Sequence, residues 1–177
     1  MLKKFKTKKG KEMVIRYLCE DDTKDLFELH NSLLSEKSYV SLVKVTLEQK
    51  RLLIEDSLEQ ILKGRGVFLV ALYDNKVLGI ASIKKGRSPF LAHRGRLTIM
   101  LDKKIQGEGV GTELLKYAIK EAKKFLKIKM ITLRVYEENR PAIHLYEKLN
   151  FKKVGKIEKG LKHFSRYKNE IIMVKYI

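Results

Sequence analysis

Gln106-Gly107-Glu108-Gly109-Val110-Gly111-Thr112 sets three glycines on alternate positions directly ahead of a run, 110–126, whose apolar residues recur at helical spacing. A glycine has no Cβ, so backbone amides there can approach a ligand closely. The first amides of a helix lack an intrahelical acceptor, and the summed peptide dipoles make that end positive. Together these features suit an anion, above all a pyrophosphate. Spacing excludes two phosphate loops. The dinucleotide fingerprint requires glycine where this chain has Thr112, and a Walker loop requires Gly-Lys-Ser/Thr, a tripeptide that does not occur here. On these residues alone, a glycine-rich turn without a ligand remains the alternative.

Two further residues bear on chemistry. Asn139 stands at the start of a helix expected over 140–150, with Pro141 in its first turn, and asparagine caps such a start well. Tyr146 shares a helix face with Ala142, Leu145 and Leu149, so periodicity alone makes it a core residue with a hydrogen-bonded hydroxyl. His144 and His163 have no partners at metal-ligand spacing, and the single Cys19 excludes an internal disulfide and a multi-cysteine site, so no metal is expected.

The elements that must position these residues are legible in outline. Residues 1–12 read as a basic N-terminal arm and 13–177 as one domain. "MVIRYL" (13–18) has strand character, and Asp22 or Thr23 can cap a helix with Leu26, Phe27, Leu29, Leu33 and Leu34 on its apolar face. Thr46 with Gln49 forms a capping-box pattern for a second helix carrying Leu47, Leu53, Ile54, Leu58, Ile61 and Leu62, and Gly64 ends it. Two apolar runs in 66–85 flank Asp74-Asn75, a hairpin signal. Strands are expected at 94–102 and 130–136, with the 110–126 helix between them, and two final strands follow the 140–150 helix. This order predicts a single-domain α/β fold: a mixed, mostly antiparallel sheet, a central parallel β-α-β unit, and helices on both faces.

The 177-residue chain has a formal charge of +18, which attracts polyanions, although its lysines are scattered rather than blocked. No apolar run approaches the roughly 20 residues that span a bilayer. A cytoplasmic protein is expected, with no membrane partner, as a monomer or homodimer.

The spacing that does match is Gln106-x-x-Gly109-x-Gly111, and here the chain resembles the GNAT family of acetyl-CoA-dependent N-acetyltransferases. A second block, "ENRPAIHLYEKLNF" (138–151), is similar to the family's later Asn-x-x-Ala-x-x-Leu-Tyr-Glu-Lys-Leu-Gly-Phe segment, and the resemblance covers essentially 13–177. It implies the acyl-CoA N-acyltransferase fold with acetyl-CoA as co-substrate and an amine as acceptor. It assigns the pantetheine arm to the backbone of Ile99, Met100 and Leu101, along a strand splayed from its neighbour. It assigns the pyrophosphate to the amides of Gln106, Gly107, Glu108, Gly109, Val110, Gly111 and Thr112, with the Glu108 side chain pointing away. Asn139 matches an asparagine that bonds the cofactor arm, and Tyr146 the general acid that protonates the leaving sulfur. At the family's closing glycine stands Asn150, the best non-glycine substitute in a left-handed helix end.

One departure concerns the base. Many relatives place glutamate where "HRGRL" puts Arg96, and a guanidinium accepts no proton. His93, Glu137 or Glu138, water, or an acceptor that arrives neutral remain as alternatives, and Arg96 could instead bind an acidic group of the acceptor. The cleft for that acceptor is expected between 32–42 and 160–168. Relatives acetylate small amines, antibiotics, protein N-termini or ribosomal-protein amines, so a ribosomal or other nucleic-acid-associated protein is a possible partner. Two rival functions stay open: a catalytically idle acyl-CoA-binding relative, and a basic nucleic-acid-binding module.

Overall fold

Among the described residues, eight strands and four α-helices form in the order β1(Leu2–Lys6), β2(Glu12–Tyr17), α1(Thr23–Ser35), α2(Leu47–Leu62), β3(Gly66–Tyr73), β4(Lys76–Lys85), β5(Arg94–Leu101), α3(Val110–Phe125), β6(Met130–Tyr136), α4(Arg140–Lys148), β7(Lys152–His163) and β8(Arg166–Tyr176). The computed structural model describes residues 2–35, 39, 42–163 and 165–177. The strands make one sheet in the order β1-β2-β3-β4-β5-β6-β8-β7. Every pairing is antiparallel except β5 with β6, the two strands joined through α3.

Local chemistry accounts for most boundaries. Thr46 accepts from the Gln49 amide while Gln49 returns a bond to the Thr46 amide, closing the capping box that starts α2. Asp74 and Asn75 both have positive φ, 47° and 61°, which matches the β3–β4 twist in a two-residue hairpin. Asn150 takes φ 63° just past α4. The sheet separates two cores. On one face, α3 and α4 bury Leu114, Leu115, Ala118, Ile143 and Tyr146 against Ile15, Leu69, Ile83 and Ile131. On the other, Leu26, Leu29 and Leu33 of α1 and Ile54 of α2 pack on Phe68, Val70 and Leu72.

Residues 2–12 are not an arm. Leu2–Lys6 pairs antiparallel with β2, Leu2 opposite Arg16 and Lys6 opposite Glu12, and extends the sheet by an edge strand. Phe5 is the one aromatic that packs against the core from this strand, while Lys3 pairs with Glu113 at 2.7 Å. So thin an apolar signal does not announce a strand in sequence. Its lysines suit an edge, where charge discourages pairing with a further chain.

Candidate active site

The central sheet is unzipped on one side. β5 and β6 pair only from Arg94–Arg96 to Met130–Thr132. Beyond that point Leu97–Leu101 pairs with β4 alone, and Leu133–Tyr136 pairs with β8 alone. The facing edges diverge, and the backbone groups of Ile99, Met100 and Leu101 that would complete the ladder line the opening. An extended, amide-bearing molecule can pair along such an edge as an added strand does.

The glycine loop lies at the end of this opening. The Gln106 side chain donates to the Leu101 carbonyl at 2.9 Å, tying the loop to the strand end. Gly109 is the N-cap of α3, with φ 90° and no side-chain cap bond. That φ is where glycine is needed, because an L side chain rarely adopts it. The space beside it is open: a Cβ there would meet only Lys8 Cγ, at 3.9 Å. Gly111 serves differently. A Cβ would come within 3.1 Å of both Leu101 Cδ1 and Leu145 Cδ2, so glycine allows α3, α4 and the end of β5 to pack closely. With no side-chain cap bond among the described residues, the first-turn amides of α3, including Gly111 and Thr112, are left for solvent or a ligand.

Glu108 does point away, into a built contact. Its carboxylate is fully buried and accepts from Thr7 Oγ1 at 3.1 Å and Lys11 Nζ at 2.8 Å, with Lys9 Nζ at 3.4 Å. The Lys8 amide donates to the Glu108 carbonyl at 3.0 Å. Lys11 foremost holds this carboxyl below its usual range. The turn between β1 and β2 is thereby clamped onto the glycine loop, and lysines 8, 9 and 11 gather beside it. Sequence reasoning missed this link because its two halves lie a hundred residues apart.

Tyr146 is buried in α4, its ring 5.9 Å from that of Phe151. Burial pushes its phenol up to about 12. Among the described residues its hydroxyl has no hydrogen-bond partner, unlike the satisfied core tyrosine that periodicity suggests. A protonated, unpaired phenol in an apolar site is a proton donor in want of an acceptor. Asn139 performs its capping task, Oδ1 accepting from the Ala142 amide at 3.2 Å, which leaves its amide NH₂ for other partners.

The base candidates fare unevenly. Glu137 accepts from Asn169 at 2.7 Å and pairs with Lys156 at 3.1 Å, and Glu138 pairs with Lys168 at 2.9 Å. These bonds hold both carboxyls low and make them poor proton acceptors. His93 precedes β5 at its closed end, its carbonyl accepting from the Lys129 and Met130 amides. Arg96 is exposed and directly opposite Lys84 on β4.

Sequence reasoning also missed Lys50 and His30. Lys50 occupies the buried stripe of α2 with Ile54 and Ser57, and is only 7% exposed. Its Nζ lies 3.1 Å from His30 Nδ1, while His30 Nε2 lies 2.7 Å from the Val43 carbonyl. A carbonyl can only accept, so Nε2 carries the proton and Nδ1 accepts from Lys50. Burial lowers the basicity of both groups. A lysine in register with apolar residues was the available signal; the expected face instead included Leu47, Leu53 and Leu62, which are exposed. Near the open end, Tyr39 and His163 flank Tyr136 at 5.7 and 5.3 Å between ring centroids, so each of the two segments expected around the acceptor cleft touches Tyr136. Glu36, Lys37, Ser38, Val40 and Ser41 of the first segment and Phe164 of the second lie outside the described residues. Among the described residues no cluster of metal-ligating side chains occurs, and no helix is long and apolar enough to cross a membrane.

A mixed sheet unzipped between two parallel strands, with an uncapped glycine loop at the end of the opening, defines an acyl-CoA N-acyltransferase fold. The profile of the acetyltransferase (GNAT) family matches residues 25–151, and the chain belongs to that family. It is 30% identical over 166 residues to an N-alpha-acetyltransferase of Sulfurisphaera tokodaii, covering 89% of this chain and 88% of that one. It is 40% identical over 101 residues to an N-alpha-acetyltransferase of Saccharolobus solfataricus, covering 52% of this chain and 60% of that protein's length. Its fold superimposes on yncA of Salmonella typhimurium, solved with its cofactor acetyl-CoA, at a TM-score of 0.82 and 21% identity, over 93% of each chain.

Proposed function

We propose that the protein is an N-acetyltransferase that moves the acetyl group of acetyl-CoA directly to an amine. The observation that carries this reading is the unzipped edge Leu97–Leu101, ending at the uncapped start of α3. The residues present suit the co-substrate: an open strand edge for the pantetheine amides, unpaired helix-start amides for the pyrophosphate, and Lys8 beside the loop for its charge. Acetyl-CoA supplies the activated acyl thioester.

Each step then falls to named groups of this chain. The strand-end amides near Met100 orient the thioester and stabilise negative charge on its carbonyl oxygen. The Asn139 amide NH₂ steadies the arm. The acceptor nitrogen attacks the carbonyl carbon, the C–S bond breaks, and Tyr146 delivers its proton to the sulfur. The nitrogen's own proton passes to solvent, because Glu137 and Glu138 are committed to cations. The family resemblance and the cofactor bound to yncA support the choice of co-substrate. The names of the archaeal relatives support an α-amine as acceptor.

The test combines calorimetry with coenzyme A and thiol release from acetyl-CoA over a panel of primary amines. Micromolar-range binding with amine-dependent thiol release is expected. Binding without release for any amine would favour an idle acyl-CoA binder. Steep salt-dependent RNA binding without coenzyme A affinity would favour the nucleic-acid module.

A further inference from the structure

On the α1–α2 face, a cavity of about 180 Å³ lies between α2 and strands β4–β5, and reaches Met100 on the unzipped stretch of β5. Its walls are apolar at Leu26, Ile54, Phe68 and Ile80, and among the described residues no aspartate or glutamate lines it. Two of its lining residues are lysines, Lys50 and Lys84. Arg96 precedes Thr98 by two residues on the same strand face, and stands opposite Lys84. Like charges directly across a ladder repel, and Lys84 leans to Asp56 only at 3.8 Å.

Lys50 is the most telling of these cations. A buried ammonium normally has a carboxylate partner, since an unpaired one costs several kcal/mol. Here its one hydrogen-bond partner among the described residues is a neutral imidazole, itself fixed by the Val43 carbonyl. That arrangement aims the ammonium and leaves its other N–H donors without a partner among the described residues.

We infer that this cavity is the acceptor site and that the Lys50 ammonium, aimed by His30, binds a carboxylate of the acceptor, which is therefore a small amino acid with an apolar side chain rather than a polyamine. This rests on the transferase reading above. The same cations bear on the missing base. The amino acid's own carboxylate keeps its α-ammonium protonated at neutral pH; pairing that carboxylate with Lys50, with further cations nearby, lowers the pKa, so the acceptor nitrogen sheds its proton to solvent before attack. Arg96 in the place of an acid is then consistent with the substrate, because a glutamate there would repel its carboxylate.

The experiment measures acetyl-CoA thiol release with leucine, methionine and phenylalanine against 3-methylbutylamine, phenethylamine, leucinamide and spermidine. The comparison uses wild type, Lys50→Met and Arg96→Glu. Wild type should prefer leucine to 3-methylbutylamine and leucinamide by on the order of 50-fold in kcat/KM, the worth of a charged hydrogen bond. Lys50→Met should bring that ratio near unity, through KM rather than kcat, and Arg96→Glu should shift preference toward spermidine. As a readout free of turnover, N-acetyl-leucine titrated into the coenzyme A-loaded protein should give heat with wild type and much less with Lys50→Met. Thermal melting of Lys50→Met checks its fold, which methionine in this apolar stripe should preserve. Preference for amines or spermidine by wild type, or an equal loss across all acceptors in Lys50→Met, overturns the assignment while the transferase reading stands. No coenzyme A binding and no thiol release with any acceptor overturns both.

Discussion

The two sides of the unzipped sheet are built from different materials. The α3–α4 side is made of backbone: helix-start amides, an unpaired strand edge and glycines that keep side chains out of the way. The α1–α2 side is made of side chains: Lys50, Lys84 and Arg96 over an apolar floor. A backbone site can be shared across a family whose sequences have diverged, because it asks only for glycine at a few positions. A side-chain site changes with each substitution and so can set which acceptor is taken.

The largest expected effect is on the backbone side. Gly109→Val forces a β-branched residue to φ 90°, and acetyl-CoA affinity should fall on the order of 100-fold by calorimetry. Little change would break the claim that main-chain conformation makes this half. Next, Tyr146→Phe should lower kcat by about 100-fold while coenzyme A affinity holds. Since the hydroxyl has no partner among the described residues, melting temperature should not fall; a core tyrosine would lose about 1 kcal/mol with its hydrogen bond. The folded phenol sits at about 12 and an unfolded one near 10. Wild type should therefore lose stability relative to Tyr146→Phe only as pH rises from about 10 to 12.

A smaller effect is expected at Glu108→Gln, which weakens the clamp on the glycine loop without touching the amides. Affinity for acetyl-CoA should drop several-fold, by about the worth of a charged hydrogen bond. The folded carboxyl is held low, so its contribution is present above about pH 4.3 and fades as pH falls below that. Acid titration of wild type should show this slope and the variant should lack it. Smallest is Asn139→Asp. It keeps the cap acceptor and removes the amide donor, so melting should be unchanged and coenzyme A affinity about three-fold weaker, within the range of one hydrogen bond.

The backbone half was also the half that sequence spells out. Gln106, Gly109 and Gly111 announce themselves because spacing is a one-dimensional property, as are the capping box at Thr46 and the hairpin at Asp74-Asn75. The edge strand Leu2–Lys6 escaped because it has little apolar surface of its own and depends on β2 for its ladder. The acceptor cavity escaped for another reason. Lys50 and His30 are twenty residues apart on different helices, and a lysine among thirty-nine basic residues draws no notice until its burial is seen. Tyr146 lay between these cases, its position readable by motif and its unpaired hydroxyl only by packing.

The Thr7–Lys11 turn carries a practical consequence. Met13 precedes residues 25–151, the stretch that matches the family, so translation from that codon would keep all of it. It would nonetheless strip the buried Glu108 of its hydroxyl and both ammonium partners, and leave β2 as a bare sheet margin. Such a shortened product should be the more aggregation-prone and the poorer at holding nucleotide, although nothing in its active centre has been altered.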